Sequence, residues 1–81
     1  ASNFPRISGA LFRLAINYAD KKMWDSAFVF AQKAITNAKA NNNLNGLVGH
    51  YREVSLLFAR QNNKDSCLYY AKKVLETAEV T

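Results

Sequence analysis

Few side chains in this 81-residue chain are equipped for chemistry. Cys67 is the single cysteine and His50 the single histidine, and they stand on different predicted helices. An imidazole that activates a thiol makes a nucleophile, but the base needs a third group to orient it, and no residue suggests itself for that role. A reactive thiol also wants electropositive, partly exposed surroundings. Cys67 falls instead on an apolar helical stripe, where cysteine behaves as a small core residue. Metal binding requires three or four ligands brought together, whereas Asp20, Asp25, Glu53, Asp65, Glu76 and Glu79 are spread along the chain. With no acid–base pair, phosphate loop or ligand set, the sequence reads as non-enzymatic and without a cofactor. Phe12, Arg13, Arg52 and Arg60 come nearest to a nucleic-acid stacking platform, which needs several aromatics beside basic residues on one face. That reading is disfavoured by the spread of charge. The excess of +5 is dispersed from Arg6 to Lys73 with acids interleaved, and nucleic acid usually wants a concentrated patch.

Composition sets the elements that must position these residues. Hydrophobic content of 49% with 21% charged residues is that of a globular chain, not a disordered one. One proline and three glycines favour helices over a turn-rich β-fold. The longest unbroken apolar run, Ala27 to Ala31, falls far short of the roughly 20 residues that span a bilayer, so no membrane insertion is expected. No secretory signal pattern appears, but residue 1 is Ala and the absence carries no weight. A lone cysteine precludes an intramolecular disulfide and leaves the compartment open.

The strongest signal is a phrase written twice. Trp24 to Ile35 reads WDSAFVFAQKAI, and forty positions later Lys64 to Leu75 reads KDSCLYYAKKVL. The same shift aligns Gly9 with Gly49, Ala19 with Ala59 and Ala38 with Ala78. Leu11, Leu14, Ala15 and Tyr18 answer to Tyr51, Val54, Ser55 and Phe58. Ala27, Phe28, Ala31, Ala34 and Ile35 answer to Cys67, Leu68, Ala71, Val74 and Leu75. Each set follows the spacing of one stripe on a 3.6-residue helix. Four helices are therefore expected, at about 6–21, 24–40, 44–61 and 64–79, as one domain over 1–81 with repeats at about 6–43 and 44–81. The fold class is all-α, two stacked antiparallel helical hairpins. Asp25 and Asp65 fall in first turns, where a negative side chain meets the positive end of the helix dipole. The links at 22–23 and 62–63 are short enough to force antiparallel hairpins, and Asn41-Asn42-Asn43 suits a stop followed by a restart. Ala15, Ala27 and Ala34 should let the first hairpin close, with Leu14, Tyr18 and Phe28 around them. Ser55 and Cys67 should do the same in the second, and Met23 and Trp24 should staple the first turn.

This pattern resembles a pair of tetratricopeptide repeats over roughly residues 8–79. The family places a large residue, a Leu, a small residue and an aromatic on its first helix, matched by Leu11, Leu14, Ala15 and Tyr18. Small residues on its second helix are matched by Ala27 and Ala34, with Trp24 at the usual aromatic turn position. In the second repeat the matches are Tyr51, Val54, Ser55 and Phe58, then Cys67 and Val74. The repeat is forty residues where the common one is about 34, which implies a longer second helix and a longer link between repeats. The closing proline is missing, and Lys64 replaces the turn aromatic. Repeats of this length with an Asp-Ser-x-x-x-Tyr/Phe-Ala phrase resemble arrays in bacterial sensor histidine kinases and related regulators.

The resemblance implies a curved slab whose inner face is lined by the first helix of each pair. Its ligand-facing positions correspond to Gly9, Phe12, Arg13, Ile16, Ala19 and Asp20, then Gly49, Arg52, Glu53, Leu56, Ala59 and Arg60. The expected partner-binding groove is apolar along Phe12, Ile16 and Leu56 with Arg13, Arg52 and Arg60 beside it. It suits a protein or peptide with an apolar ridge and some acidic residues. Ile16 and Leu56 stand where a carboxylate-clamping subclass carries asparagines, so that role is not expected. The implied function is a peptide-binding, sensing or docking segment of a larger bacterial signal-transduction protein. The alternative is an architectural spacer or homodimer element without its own ligand. Two repeats leave two open ends, which should self-associate by stacking or helix exchange.

Overall fold

A computed structural model describes the backbone of residues 4–79 and the side chains of residues 7–79. Four α-helices follow one another: α1 Phe4–Asp20, α2 Trp24–Ala40, α3 Leu44–Arg60 and α4 Lys64–Glu79. No strand occurs among the described residues. The first helix begins two residues before the expected Arg6, because Pro5 lies within its opening turn, where a missing N–H costs nothing.

All three links are built alike. The backbone N–H groups of Lys22, Asn42 and Asn62 donate to the carbonyls of Ala19, Lys39 and Ala59. Those of Met23, Asn43 and Asn63 donate to Tyr18, Ala38 and Phe58, each at 2.9 Å. This paired arrangement satisfies the last helical carbonyls and requires a left-handed residue between. Lys22, Asn42 and Asn62 supply it at φ of 60°, 53° and 62°. The link between hairpins is therefore no longer than the links within them, contrary to expectation. The forty-residue unit is two equal beats of twenty, seventeen helical residues and three of turn.

The links differ in how the next helix starts. Asn43 accepts a bond from the Gly46 N–H at 3.1 Å and Asn63 one from the Ser66 N–H at 3.2 Å. Met23, at the same place before α2, makes no side-chain cap. A Met23→Asn variant should supply the missing acceptor and raise stability by about 1 kcal/mol, read as a higher urea midpoint with unchanged slope. Met23 is also exposed and does not staple the turn as expected. Trp24 does so alone, its indole stacked on Phe28 at 6.2 Å.

Packing is open, not closed. α1 lies against α2 and α3 against α4, while α3 also meets α1 and α2. No Cα of α4 comes within 8 Å of α1 or α2. The Cα extents, 34 × 25 × 13 Å, describe a slab. Two helices whose axes are about 8–10 Å apart, each about 4.6 Å across at Cα, fill only the 13 Å dimension. The chain is thus two stacked antiparallel hairpins, two helices thick.

Small side chains let the first hairpin close. Ala15, Ala19, Ala27, Ala31, Ala34 and Ala38 are fully buried, with Phe12, Ile35, Leu47, Tyr51, Val54 and Leu57 completing the core. An aromatic ladder ties the hairpins together. Phe28 of α2 stacks on Phe58 of α3 at 4.2 Å, Phe58 on Tyr70 of α4 at 5.6 Å, and Tyr70 meets Tyr69 edge-on at 5.1 Å. In the second hairpin the Ser55 hydroxyl donates to the Cys67 carbonyl at 3.0 Å and lies 3.4 Å from its Sγ. That is the close approach expected of two small residues. The thiol is half-buried against Ser55. Leu14 departs from expectation: it is 43% exposed and does not pack inside the hairpin. A helix flanked by α2 and α3 buries the arc toward those two, Ser8, Phe12, Ala15 and Ala19, and Leu14 points away from both.

Candidate partner-binding groove between α1 and α3

α1 and α3 run side by side, and their facing residues recur at helical spacing. Gly9, Phe12, Arg13 and Ile16 from α1 meet Gly46, Gly49, His50, Arg52 and Glu53 from α3 around an open depression of about 380 Å³. Four of the six expected groove residues, Phe12, Arg13, Ile16 and Arg52, are brought together there. Leu56 lies one turn beyond on α3 with its side chain exposed. Arg60 lies further still, and it is engaged. Its guanidinium is 3.0 Å from the Asp20 carboxylate and stands over the Trp24 ring at 5.8 Å. The Asp20–Arg60 pair bridges α1 and α3 at one end of the groove. Both partners are solvated, so the pair is worth under about 1 kcal/mol and marks an edge more than it holds the fold.

Phe12 has a different role from the expected one. At 4% exposure it is floor and not contact surface, because its ring stacks flat on His50 at 5.1 Å and 4°. This stack is what fixes α1 to α3 under the depression. Ala19, also expected to face a ligand, is fully buried against the neighbouring helices. The sequence left His50 as a lone histidine, solvent-facing or interfacial, and no pattern marked it as the partner of Phe12. Burial pushes its pKa below the ordinary 6.5, and Glu53 one turn away opposes this without reversing it. The imidazole is therefore neutral at neutral pH, which suits a ring stack. Its Nε2 is buried with no hydrogen-bond partner among the described residues.

The open end of the groove is made by glycine. A Cβ built at Gly9 or at Gly49 would meet no atom within 4 Å. Glycine inside a helix costs about 0.5–1 kcal/mol relative to alanine. Both positions carry that cost forty residues apart, though no neighbour in the chain demands a small residue. What remains is an apolar floor at Phe12 and Ile16, flanked by Arg13, Arg52 and Glu53. It offers shape, two cationic donors and one carboxylate.

Two other cationic side chains stand over aromatic rings. Lys33 lies over Phe30 at 5.2 Å and Lys73 over Tyr69 at 5.4 Å, on different helices. Among the described residues, no group of three or more His, Cys, Asp or Glu is placed to hold a metal ion. No helix there is long and apolar enough to cross a membrane. No protein-family model, curated protein or solved structure matches this chain.

Proposed function

We propose that this chain is a non-enzymatic interaction module that receives a peptide or partner helix in the groove between α1 and α3, as a docking or sensing segment of a larger signalling protein. The observation that carries the reading is the pair of helix-interior glycines, Gly9 and Gly49, which leave unfilled space over an apolar floor. A partner helix brings its backbone close only where side chains are absent, and the depression provides that room. Arg13 and Arg52 on either side favour acidic residues flanking the partner's apolar ridge. Arg60, held by Asp20, limits the groove at its far end.

The test uses a displayed library of helical peptides with an apolar ridge and varied flanking charge, selected against the 81-residue chain. Binders should be enriched in Asp and Glu beside the ridge. Gly49→Leu should fill the open end and abolish binding, and Arg52→Glu should weaken it at least tenfold. Because Gly49 borders open space, Gly49→Leu should leave the helical circular dichroism and the urea midpoint intact or slightly raised. Failure to select any peptide, or binding untouched by both substitutions, would favour the architectural reading.

A further inference from the structure

The molecule makes one interface between hairpins, and both halves of that interface recur, exposed, at its two ends. Within the chain, α3 turns Tyr51, Ser55 and Phe58 toward α4. Its adjoining arc, Leu47, His50, Val54 and Leu57, is covered from the first hairpin, where Phe12 meets His50 and Phe28 meets Phe58. The repeat shift carries that arc onto Ile7, Ala10, Leu14 and Asn17 of α1, all four exposed and none charged. Val54 is 2% exposed where Leu14 is 43% exposed. The other half behaves the same way. Phe28 and Ile35 of α2 are covered by the second hairpin, while their counterparts on α4, Leu68 and Leu75, stand open, Ile35 at 2% against Leu75 at 67%. In total α4 has no fully buried residue.

We infer that copies of this chain stack head to tail, the Ile7/Leu14 face of one copy covering the Leu68/Leu75 face of the next. The occupant is a second copy because the surface required against Leu68 and Leu75 is one shaped like α3. The sequence that repeats α3 at its own spacing is α1. The contact continues an interface already formed inside the chain, in the same order, so it needs no new geometry. It is heterologous: each copy offers one head and one tail, so a dimer leaves one of each unsatisfied. The assembly therefore grows with concentration past the dimer. On α1 the head residues Ile7, Ala10, Leu14 and Asn17 fall on a different side of the helix from the groove residues Phe12 and Ile16.

Sedimentation of the whole chain over a broad concentration range tests it. The weight-average mass should rise from 9.1 kDa past twice that value without a plateau at the dimer. Leu14→Glu alone and Leu75→Glu alone should each hold the chain at the monomer mass. Both sites are exposed, so circular dichroism should remain that of the folded parent. Mixing the two variants should restore association, and only to a 1:1 pair, since one brings an intact tail and the other an intact head. A parent that stays monomeric throughout would overturn the inference and assign the two faces to a different occupant. A Leu14→Glu variant that still dimerises by itself would also overturn it, because tail-to-tail pairing would then be the rule.

Discussion

Phe58→Ala is expected to cost about 3 kcal/mol, the lower end of the range for removing a packed phenylalanine, since its ring is only half-buried. The magnitude follows from its position and not from its area. Phe58 stands in the middle of the aromatic ladder, at 4.2 Å from Phe28 and 5.6 Å from Tyr70. It lies on α3 with the first hairpin on one side and α4 on the other. Each stacked pair contributes about 0.5–1.5 kcal/mol beyond the area it buries, so a truncation there removes two such terms and opens a void between hairpins. In a stack of repeats, stability is roughly the sum of each unit's own stability and the terms between neighbours. Losing the shared term should broaden the urea transition as well as lower its midpoint. Phe30→Ala is the control. Its ring stacks on Tyr18 at 5.4 Å within the first hairpin, so its loss should shift the midpoint without splitting the transition. Equal behaviour of the two variants would mean that the ladder is ornament and the hairpins are held by alanine contacts alone.

How far the sequence led is clear at Leu14 and Phe12. A 3.6-residue period tells which residues share a face, and it placed four helices within a turn of their true limits. Period alone does not tell how many neighbours a helix has. Leu14 belongs to the stripe Leu11, Leu14, Ala15, Tyr18, and the matching Val54 in α3 is indeed buried. α3 is enclosed on more sides than α1, so the same residue position is core in one repeat and surface in the other. Phe12 errs the opposite way. It sits at an expected ligand-facing position, and only the presence of His50 across the α1–α3 contact turns it into floor. The Asp20–Arg60 pair joins residues forty apart; both stood at expected groove positions, but nothing in their spacing marked them as partners. The links show a further limit. Asn42 carried the signal for a left-handed turn, as asparagine tolerates that backbone; the link at 62–63 was read only from its length. Lys22 carried none, yet adopts the same φ because the hydrogen bonds to Ala19 and Tyr18 demand it. The equal spacing of these three residues, at 22, 42 and 62, was legible only once the geometry was known. The glycines were visible as repeat partners, but the empty space around them was not.

The contrast between enclosed and open helices yields the second large effect, in one substitution made at two repeat-equivalent sites. Ala31→Leu should cost roughly 1–3 kcal/mol by overpacking, because Ala31 is fully buried in a helix with α1 on one side and α3 on the other. Ala71→Leu, forty residues on, should cost under about 0.5 kcal/mol. Ala71 is only half-buried, on a helix whose backbone comes close to α3 alone, so an added side chain meets fewer neighbours. Urea unfolding of both variants at low protein concentration measures the difference. The two sites lie on helices with no Cα–Cα approach within 8 Å, so the double variant should be close to additive. Equal costs would mean that α4 is as enclosed in solution as α2 even when copies are dilute. Raising the protein concentration adds a second axis. Where copies stack, the open side of α4 is covered and Ala71 becomes the equivalent of Ala31 in burial as well as in sequence. The cost of Ala71→Leu should then rise with concentration while that of Ala31→Leu stays constant.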